Sequence, residues 1–375
     1  MKISSNFDGG NIECFESNDA RDIRLRIAKD NNAEFLQWFY FRLTGALDID
    51  CRLKIENAGV VSYPDGWKDY RAVASYDRED WFRVDTKYDG KVLTISHRPA
   101  HDSVYYAMFA PYSLERHAGM LACAQILPNV RLINLGETLD GQDLDMLVVG
   151  ENAKEKRKCW IVARQHPGET MASWWTEGFL DRLTDDNDPV ARALNAMAVF
   201  YIVPNMNPDG SRRGNLRTNA SGANLNREWQ EPSMNRSPEV FLVREKMLET
   251  GVDFCLDIHG DEALPYNFLA GPLGIPSLSK KQSELFDKFK TTLARINPDF
   301  QTVYGYPPAK PGGGNLTMCS NWVAEEFGCL AMTLEQPFKD TVDTPDLVHG
   351  WSPERCRKLG ESSLNALFSI VDTLS

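Results

Sequence analysis

The sequence predicts an α/β protein in two parts: an N-terminal antiparallel β-sandwich, then a domain with a central mixed sheet flanked by helices. Two observations carry this prediction. Short segments of alternating apolar and polar residues dominate up to about residue 112, and longer apolar runs alternate with helix-like segments after it. We place the boundary so that the sandwich covers residues 1–115 and the α/β domain covers residues 116–375.

The first part has the signals of short, half-buried strands. Residues 23–27 and 51–56 alternate between apolar and polar side chains, as strands with one buried face do. The pair Asp89-Gly90 is a hairpin signal between residues 82–84 and 92–95. We therefore expect about seven to nine strands packed as an antiparallel sandwich.

The second part has four short apolar runs that predict buried strands, and three segments that predict helices. The runs cover residues 159–163, 198–203, 253–258 and 329–334. The helices are expected over residues 171–183, from Pro238 to about Gly251, and from Pro353 onward, with proline at the first helical position in the last two. We expect the first turn of the helix over residues 171–183 to carry Glu169.

Polar residues follow each of these apolar runs, and three of them form a candidate metal site. His166 and Glu169 come after the first run, and His259 ends the third. Two imidazoles and one carboxylate are a typical ligand set of a catalytic zinc, with the fourth position left open. A His-x-x-Glu pair alone is weak evidence, but binding crevices of open α/β sheets lie beyond the carboxyl ends of the strands. The three residues are therefore expected to meet.

Five motifs in order give the chain a family resemblance. They are His166-Pro-Gly-Glu169, Asn-Pro-Asp-Gly at residues 207–210, Asn226-Arg227-Glu-Trp229, the distant His259 and the late Glu335. Together they resemble the zinc carboxypeptidases. Residues 15–17, 38–41 and 105–112 are similar to the β-sandwich module that precedes the catalytic domain in the cytosolic branch of that family. The resemblance implies a catalytic domain over residues 116–375 with one Zn²⁺ per chain.

The resemblance also implies roles for two residues near the metal. Glu335, at the end of the last apolar run, matches the family's general base, which takes a proton from water and passes it to the leaving amine. Arg217 matches the arginine that stabilises the developing oxyanion. Arg213 is the competing candidate for that second role.

A carboxypeptidase must also bind the free carboxylate of its substrate. Arg227 suits this task, because a guanidinium can donate two parallel hydrogen bonds to a carboxylate, and Asn226 can donate another. The family tyrosine that closes over substrate is assigned to Tyr306, with Tyr304 as the alternative. One position departs from the family: Asn224 stands where an aspartate usually orients a zinc-bound histidine, so we expect metal affinity to be altered.

Composition narrows the function further. The net charge of −12 argues against nucleic-acid binding, and no apolar stretch suits a membrane span or a signal peptide. We expect a cytoplasmic metallocarboxypeptidase that acts on the C-terminal tails of peptides or proteins, with a preference for acidic ends such as glutamate, and a protein partner for the sandwich. Two alternatives stay open: a zinc deacylase of N-acyl amino acids, and a non-catalytic scaffold that binds C-termini.

Overall fold

The N-terminal part of the computed structural model, which describes residues 1–374, is a β-sandwich. Its sheets have the strand orders β1-β4-β10-β6-β7 and β2-β3-β5-β9-β8. The strands are β1 (Lys2–Ser4), β2 (Glu13–Glu16), β3 (Ile23–Arg26), β4 (Tyr40–Thr44), β5 (Cys51–Ile55), β6 (Val73–Ser75), β7 (Phe82–Arg83), β8 (Asp85–Tyr88), β9 (Leu93–His97) and β10 (Ser103–Ala107).

The sandwich is confirmed, with three differences from expectation. It has ten strands within the described residues rather than seven to nine, and β3 pairs with β5 in parallel while the other pairs are antiparallel. The turn at Asp89-Gly90 joins β8 to β9, so the first strand of that hairpin is Asp85–Tyr88 rather than residues 82–84. The physical reason is a corner at Val84, where the chain leaves the sheet of β6 and β7 and enters the other sheet.

The rest of the chain forms a seven-stranded sheet with helices on both faces. Its strand order is β11-β12-β14-β13-β15-β17-β16. The four strands β14, β13, β15 and β17 are parallel to one another, and the pairs toward both edges of the sheet are antiparallel. The elements are α1 (Leu114–Gln125), β11 (Val130–Glu137), β12 (Asp143–Val149), β13 (Arg157–Ala163), α2 (Met171–Leu183), α3 (Pro189–Met197), β14 (Ala198–Val203), α4 (Pro208–Arg213), α5 (Pro238–Thr250), β15 (Phe254–Ile258), β16 (Phe268–Ala270), α6 (Lys280–Ile296), α7 (Cys319–Phe327), β17 (Leu330–Glu335) and α8 (Pro353–Phe368).

Helices cover both faces of the parallel strands, which explains their continuous apolar runs. On β13, Ile161 packs into an apolar cluster shared with α2 and α8, whereas Trp160 and Val162 pack into a second cluster with α5 and α7. On the first face α2 and α8 approach so closely that a side chain at Gly178 would clash with the α8 backbone. The four predicted strands and three predicted helices are thus present, each close to its expected bounds.

Among residues 1–374, no helix combines the length and the apolar character that crossing a membrane requires. One apolar cluster continues from the sandwich into the α/β part, where Phe109 packs edge-on against Phe338 with ring centroids 6.2 Å apart. The predicted domain boundary at residue 115 stays a prediction; it falls inside α1.

Candidate metal and active site

The candidate site lies at the carboxyl edge of the parallel strands. His166 follows β13, His259 directly follows β15, and Glu335 is the last residue of β17. Glu169 precedes α2 instead of lying in its first turn, and its carbonyl accepts a hydrogen bond from Ala172 at 3.1 Å. The reason is that the helix begins only after Thr170, so Glu169 lies in a loop and is free to face the histidines.

The three predicted metal ligands meet at one point. The Nδ1 atoms of His166 and His259 are 3.2 Å apart, and the two oxygens of Glu169 lie 2.6 and 2.8 Å from them. All three side chains are buried. Within residues 1–374 these three form the single His/Cys/Asp/Glu cluster with metal-binding geometry. Two imidazole nitrogens and a carboxylate on one point are a fitting donor set for zinc.

The outer nitrogens of both rings have hydrogen-bond acceptors. His166 Nε2 lies 3.0 Å from Asn224 Oδ1, and His259 Nε2 lies 2.9 Å from Asp257 Oδ2. An acceptor at Nε2 places the ring proton there and leaves the Nδ1 lone pair for a metal. The amide of Asn224 therefore occupies the orienting position in the structure, and Asp257 orients the second histidine.

Burial and neighbouring charges act differently on the three ligands. Burial lowers the pKa of His166 to about 4, so this ring is neutral at pH 7. Burial alone would lower the pKa of His259 and raise that of Glu169, but ionic attraction outweighs burial at both groups. The carboxylates of Asp257 and Glu169 raise the pKa of His259 well above its ordinary value. The imidazoles of His166 and His259 lower the pKa of Glu169. The three candidate ligands are therefore electrostatically coupled to one another.

Glu335 has the environment of a general base. Its carboxyl group is buried, and its Oε2 has no hydrogen-bond partner among the described residues. Burial raises its pKa well above the ordinary value; His259 opposes this rise, whereas the nearby carboxylates of Glu169 and Asp261 add to it. A carboxylate with raised proton affinity and a free oxygen is suited to take a proton from water.

Of the two candidate oxyanion arginines, the structure brings Arg217 to the metal ligands. Its Nη1 lies 3.9 Å from Glu169 Oε1, and its guanidinium lies over the rings of Phe35 and Tyr63 from the sandwich. Arg213 instead donates two hydrogen bonds to Asp140, at 2.6 and 2.8 Å, on the exposed side of α4.

The predicted substrate-binding residues lie in a short 3₁₀ helix, Leu225–Arg227, and in the loop that carries Tyr306. Asn226 is buried, and its amide nitrogen lies 3.4 Å from His259 Nε2. Arg227 is exposed and donates to the carbonyl of Asn226 at 2.6 Å. The Tyr306 hydroxyl donates to Asp261 Oδ2 at 2.6 Å, whereas Tyr304 stacks on another tyrosine, Tyr266.

A cavity of about 480 Å³ opens beside Glu335. Tyr304 and Tyr306 form part of its wall, and Thr333 contributes from β17. Glu335 and Lys290 are the two residues with a formal charge among those that line it. The cavity is large enough to hold one large amino-acid side chain beside Glu335.

Comparison with known proteins decides the family. Residues 3–109 match the family model described as "Cytosolic carboxypeptidase N-terminal domain", and residues 120–268 match the family model described as "Zinc carboxypeptidase". A solved metallo-carboxypeptidase from Burkholderia cenocepacia is 49% identical, with a TM-score of 0.97 and full coverage of both chains. The chain belongs to the zinc carboxypeptidase family. Its class is therefore that of a metallocarboxypeptidase, a hydrolase, as the motifs predicted.

Two other relatives add detail. A metallo-carboxypeptidase from Pseudomonas aeruginosa, solved in complex with (2-guanidinoethylmercapto)succinic acid, is 42% identical, with a TM-score of 0.98 and full coverage of both chains. Mouse cytosolic carboxypeptidase 6 is 27% identical over 338 residues, which cover 82% of this chain and 62% of the mouse protein. The chain thus spans less than two thirds of the length of that relative. The predicted likeness to the cytosolic branch is confirmed.

Sequence reasoning missed several residues that support this carboxypeptidase site. Gln165 donates to Asp257 at 2.7 Å and accepts from the indole of Trp229 at 2.8 Å, so it links two family motifs. Its place next to His166 at a strand end was a usable signal. Phe35 and Tyr63 had none, because nothing in the local sequence of the sandwich shows that its loops reach the metal ligands.

Proposed function

We propose that the protein removes the C-terminal residue from peptides or protein tails, using one zinc ion per chain held by His166, Glu169 and His259. The convergence of their donor atoms, with both outer ring nitrogens oriented, is the observation that carries this proposal. When bound, zinc supplies Lewis-acid polarisation of the scissile carbonyl. The name of the mouse relative also supports a cytoplasmic location.

The protein's own residues divide the remaining work. The Glu335 carboxylate accepts a proton from the attacking water and delivers it to the leaving amine. The Arg217 guanidinium, 3.9 Å from Glu169, stabilises negative charge that develops on the carbonyl oxygen. Arg227 and Asn226 bind the terminal carboxylate, and Tyr306 covers the substrate from the opposite loop.

We further propose a preference for acidic C-terminal residues such as glutamate. Lys290 supports it, because it is the single cationic side chain among the described residues that line the cavity. Its Nζ lies 3.2 Å from Asp287 on the same helix. Because the Asp287 carboxylate partly neutralises the Lys290 ammonium group, we expect the preference for acidic residues to be moderate. The ligand of the Pseudomonas relative carries both carboxylates and a guanidino group, which makes lysine- and arginine-ended peptides the essential competitors.

The test is release of the terminal amino acid from three peptides that differ only in ending with Glu, Leu or Lys, measured alongside zinc content. Wild type should contain one zinc and release Glu fastest, and Glu335→Gln should keep the zinc and lose the release. Lys290→Met should remove the preference for Glu, whereas Lys288→Met, an exposed lysine on the same helix, should leave it unchanged.

Different outcomes overturn different parts of the proposal. Equal or reversed release of Glu relative to Leu and Lys overturns the acidic preference alone. Zinc without any peptide release overturns the peptidase, and hydrolysis of N-acyl amino acids in its place identifies a deacylase.

A further inference from the structure

The loop that carries Arg217 is held by the β-sandwich. Residues 214–224 contain no helix or strand. The successive backbone N–H groups of Leu216, Arg217 and Thr218 donate to the carboxylate of Asp30 at 2.6, 2.8 and 2.9 Å, and the Thr218 hydroxyl adds a fourth bond at 3.0 Å. Asp30 belongs to the sandwich loop between β3 and β4 and is 3% exposed.

This carboxylate is in an unusual environment. Burial raises the pKa of Asp30, and the hydrogen bonds from the Arg217 loop oppose that rise. A buried carboxylate is costly unless its oxygens accept hydrogen bonds, and convergent backbone N–H groups form an anion-binding concavity. Here the N–H groups belong to the α/β domain and the carboxylate of Asp30 belongs to the sandwich. Packing of the sandwich against the α/β domain therefore fixes the Arg217 loop.

Further contacts from the sandwich, from the loop of Asp30 and from the segment after β5, hold the Arg217 loop and the Arg217 side chain. The guanidinium carbon of Arg217 lies 5.7 Å from the ring centre of Phe35 and 5.5 Å from that of Tyr63, which is cation–π distance. Asn31 donates to the carbonyl of Ala220 at 2.6 Å. Both the backbone and the side chain of Arg217 are thus held by groups outside the α/β domain.

We propose that Asp30 is a positioning residue for the carboxypeptidase reaction, which fixes residues 216–218 so that the Arg217 guanidinium stays beside the metal ligands. This inference rests on the proposed function. Stabilisation of a developing charge depends on donors that are already in place, and displacement by a fraction of an ångström weakens it. The sandwich is then a working part of the active site, since it supplies the anchor of a residue that contacts the substrate.

The experiment compares Asp30→Asn with a matched control, Asp77→Asn. Asp77 is another sandwich carboxylate that accepts two backbone N–H groups, from Glu79 and Asp80, within its own turn. The zinc-loaded full-length proteins are compared by kcat, KM, zinc content and thermal midpoint, and by affinity for a phosphinic peptide that mimics the tetrahedral intermediate. Amide hydrogen exchange across residues 214–220 reports loop order without turnover.

For Asp30→Asn we expect kcat to fall at least about tenfold, as for a misplaced oxyanion donor, with a parallel loss of phosphinate affinity, unchanged zinc content and KM, and faster exchange across residues 214–220. In an Arg217→Ala background, Asp30→Asn should cost less than about twofold, because the residue it positions is gone. Asp77→Asn should change none of these quantities beyond a small shift in thermal midpoint.

A folded, zinc-containing Asp30→Asn protein with wild-type kcat and wild-type exchange overturns the inference, and so does a full additional loss in the Arg217→Ala background. If Asp30→Asn does not fold, Tyr63→Leu decides: it removes one ring from Arg217 and should lower kcat and phosphinate affinity without loss of zinc. If wild type releases no amino acid, the proposed function fails, and hydrogen exchange alone judges the anchoring by Asp30.

Discussion

The candidate metal ligands and the candidate substrate-binding residues of this carboxypeptidase are held by the fold in different ways. His166, Glu169 and His259, the metal half, follow buried strands, and each is at most 3% exposed. Arg227 and Tyr306, which we call the substrate half, lie at the protein surface, and Tyr306 is 49% exposed; the third candidate, Asn226, is buried beside His259 and is left out of this comparison. The first group has hydrogen-bond partners at every outer ring nitrogen, whereas the second has one hydrogen bond per side chain.

This difference has a physical reason. Metal ligands must keep a narrow geometry, which buried strand ends and oriented imidazoles provide. A substrate must enter and leave, so the groups that bind its ends have to be accessible and able to move. Changes in the metal half should therefore abolish activity, whereas changes in the substrate half should weaken it by degrees.

Loss of a metal ligand should have the largest effect. His259→Ala should contain no tightly bound zinc and show no peptidase activity, because two protein donors hold the metal poorly. Chelation should abolish wild-type activity, and added zinc should restore wild type but leave the variant inactive. Zinc analysis and peptide hydrolysis check this, with His349→Ala, at a partly exposed histidine near Asp80, as control. Full activity of the chelated protein would show that His166, Glu169 and His259 do not hold a metal that the reaction needs.

Removal of the Arg227 guanidinium, which we propose binds the terminal carboxylate, should have the next largest effect. Arg227→Ala should lower kcat/KM by about 10- to 100-fold, mostly through KM, since a charge-assisted hydrogen bond contributes about 1.5–3 kcal/mol. Zinc content should not change. Steady-state kinetics on one peptide and its C-terminal amide separate the effects: the variant should lose the discrimination between acid and amide. An unchanged KM would show that Arg227 does not bind the substrate. The control is Arg192→Ala, on the exposed face of α3.

A change at Asn224 tests how finely the metal half is tuned. Asn224→Asp places a charged acceptor at 3.0 Å from His166 Nε2 and should raise zinc affinity by about tenfold, at the lower end of effects seen for such partners. Asn224→Ala should lower the affinity by a similar factor. Competition with a fluorescent chelator measures both. Equal affinities in the three proteins would show that Asn224 does not orient the ring.

The smallest effect is expected at the tyrosine. Tyr306→Phe removes one hydrogen bond, from the hydroxyl to Asp261, and should lower kcat/KM by about fivefold, in keeping with about 1 kcal/mol for such a bond. Tyr304→Phe should have no effect, because the Tyr304 ring stacks on Tyr266 and a phenylalanine keeps that stacking. Kinetics that rank the two variants the other way would assign substrate closure to Tyr304.

Much of the fold was predictable from the sequence because its signals are local. The buried strands appear as apolar runs and the helices have proline at their first positions, so α5 and α8 begin where expected. The hairpin was misplaced by a few residues because a chain that crosses between sheets at Val84 keeps the same alternation on both sides. Nothing local marks such a crossing.

The sequence by itself determined the family motifs, the candidate metal-ligand set and the chemical types of Glu335, Arg217 and Arg227, since these depend on residue identity and order. Only the tertiary structure separated Arg217 from Arg213, paired each histidine with its own acceptor and brought Lys290 to the cavity. It also joined Asp30 to the Arg217 loop across 187 positions of sequence. Contacts of that kind depend on how the sandwich packs against the α/β domain. The local sequence pattern of either part predicts its own strands and helices but does not predict this packing.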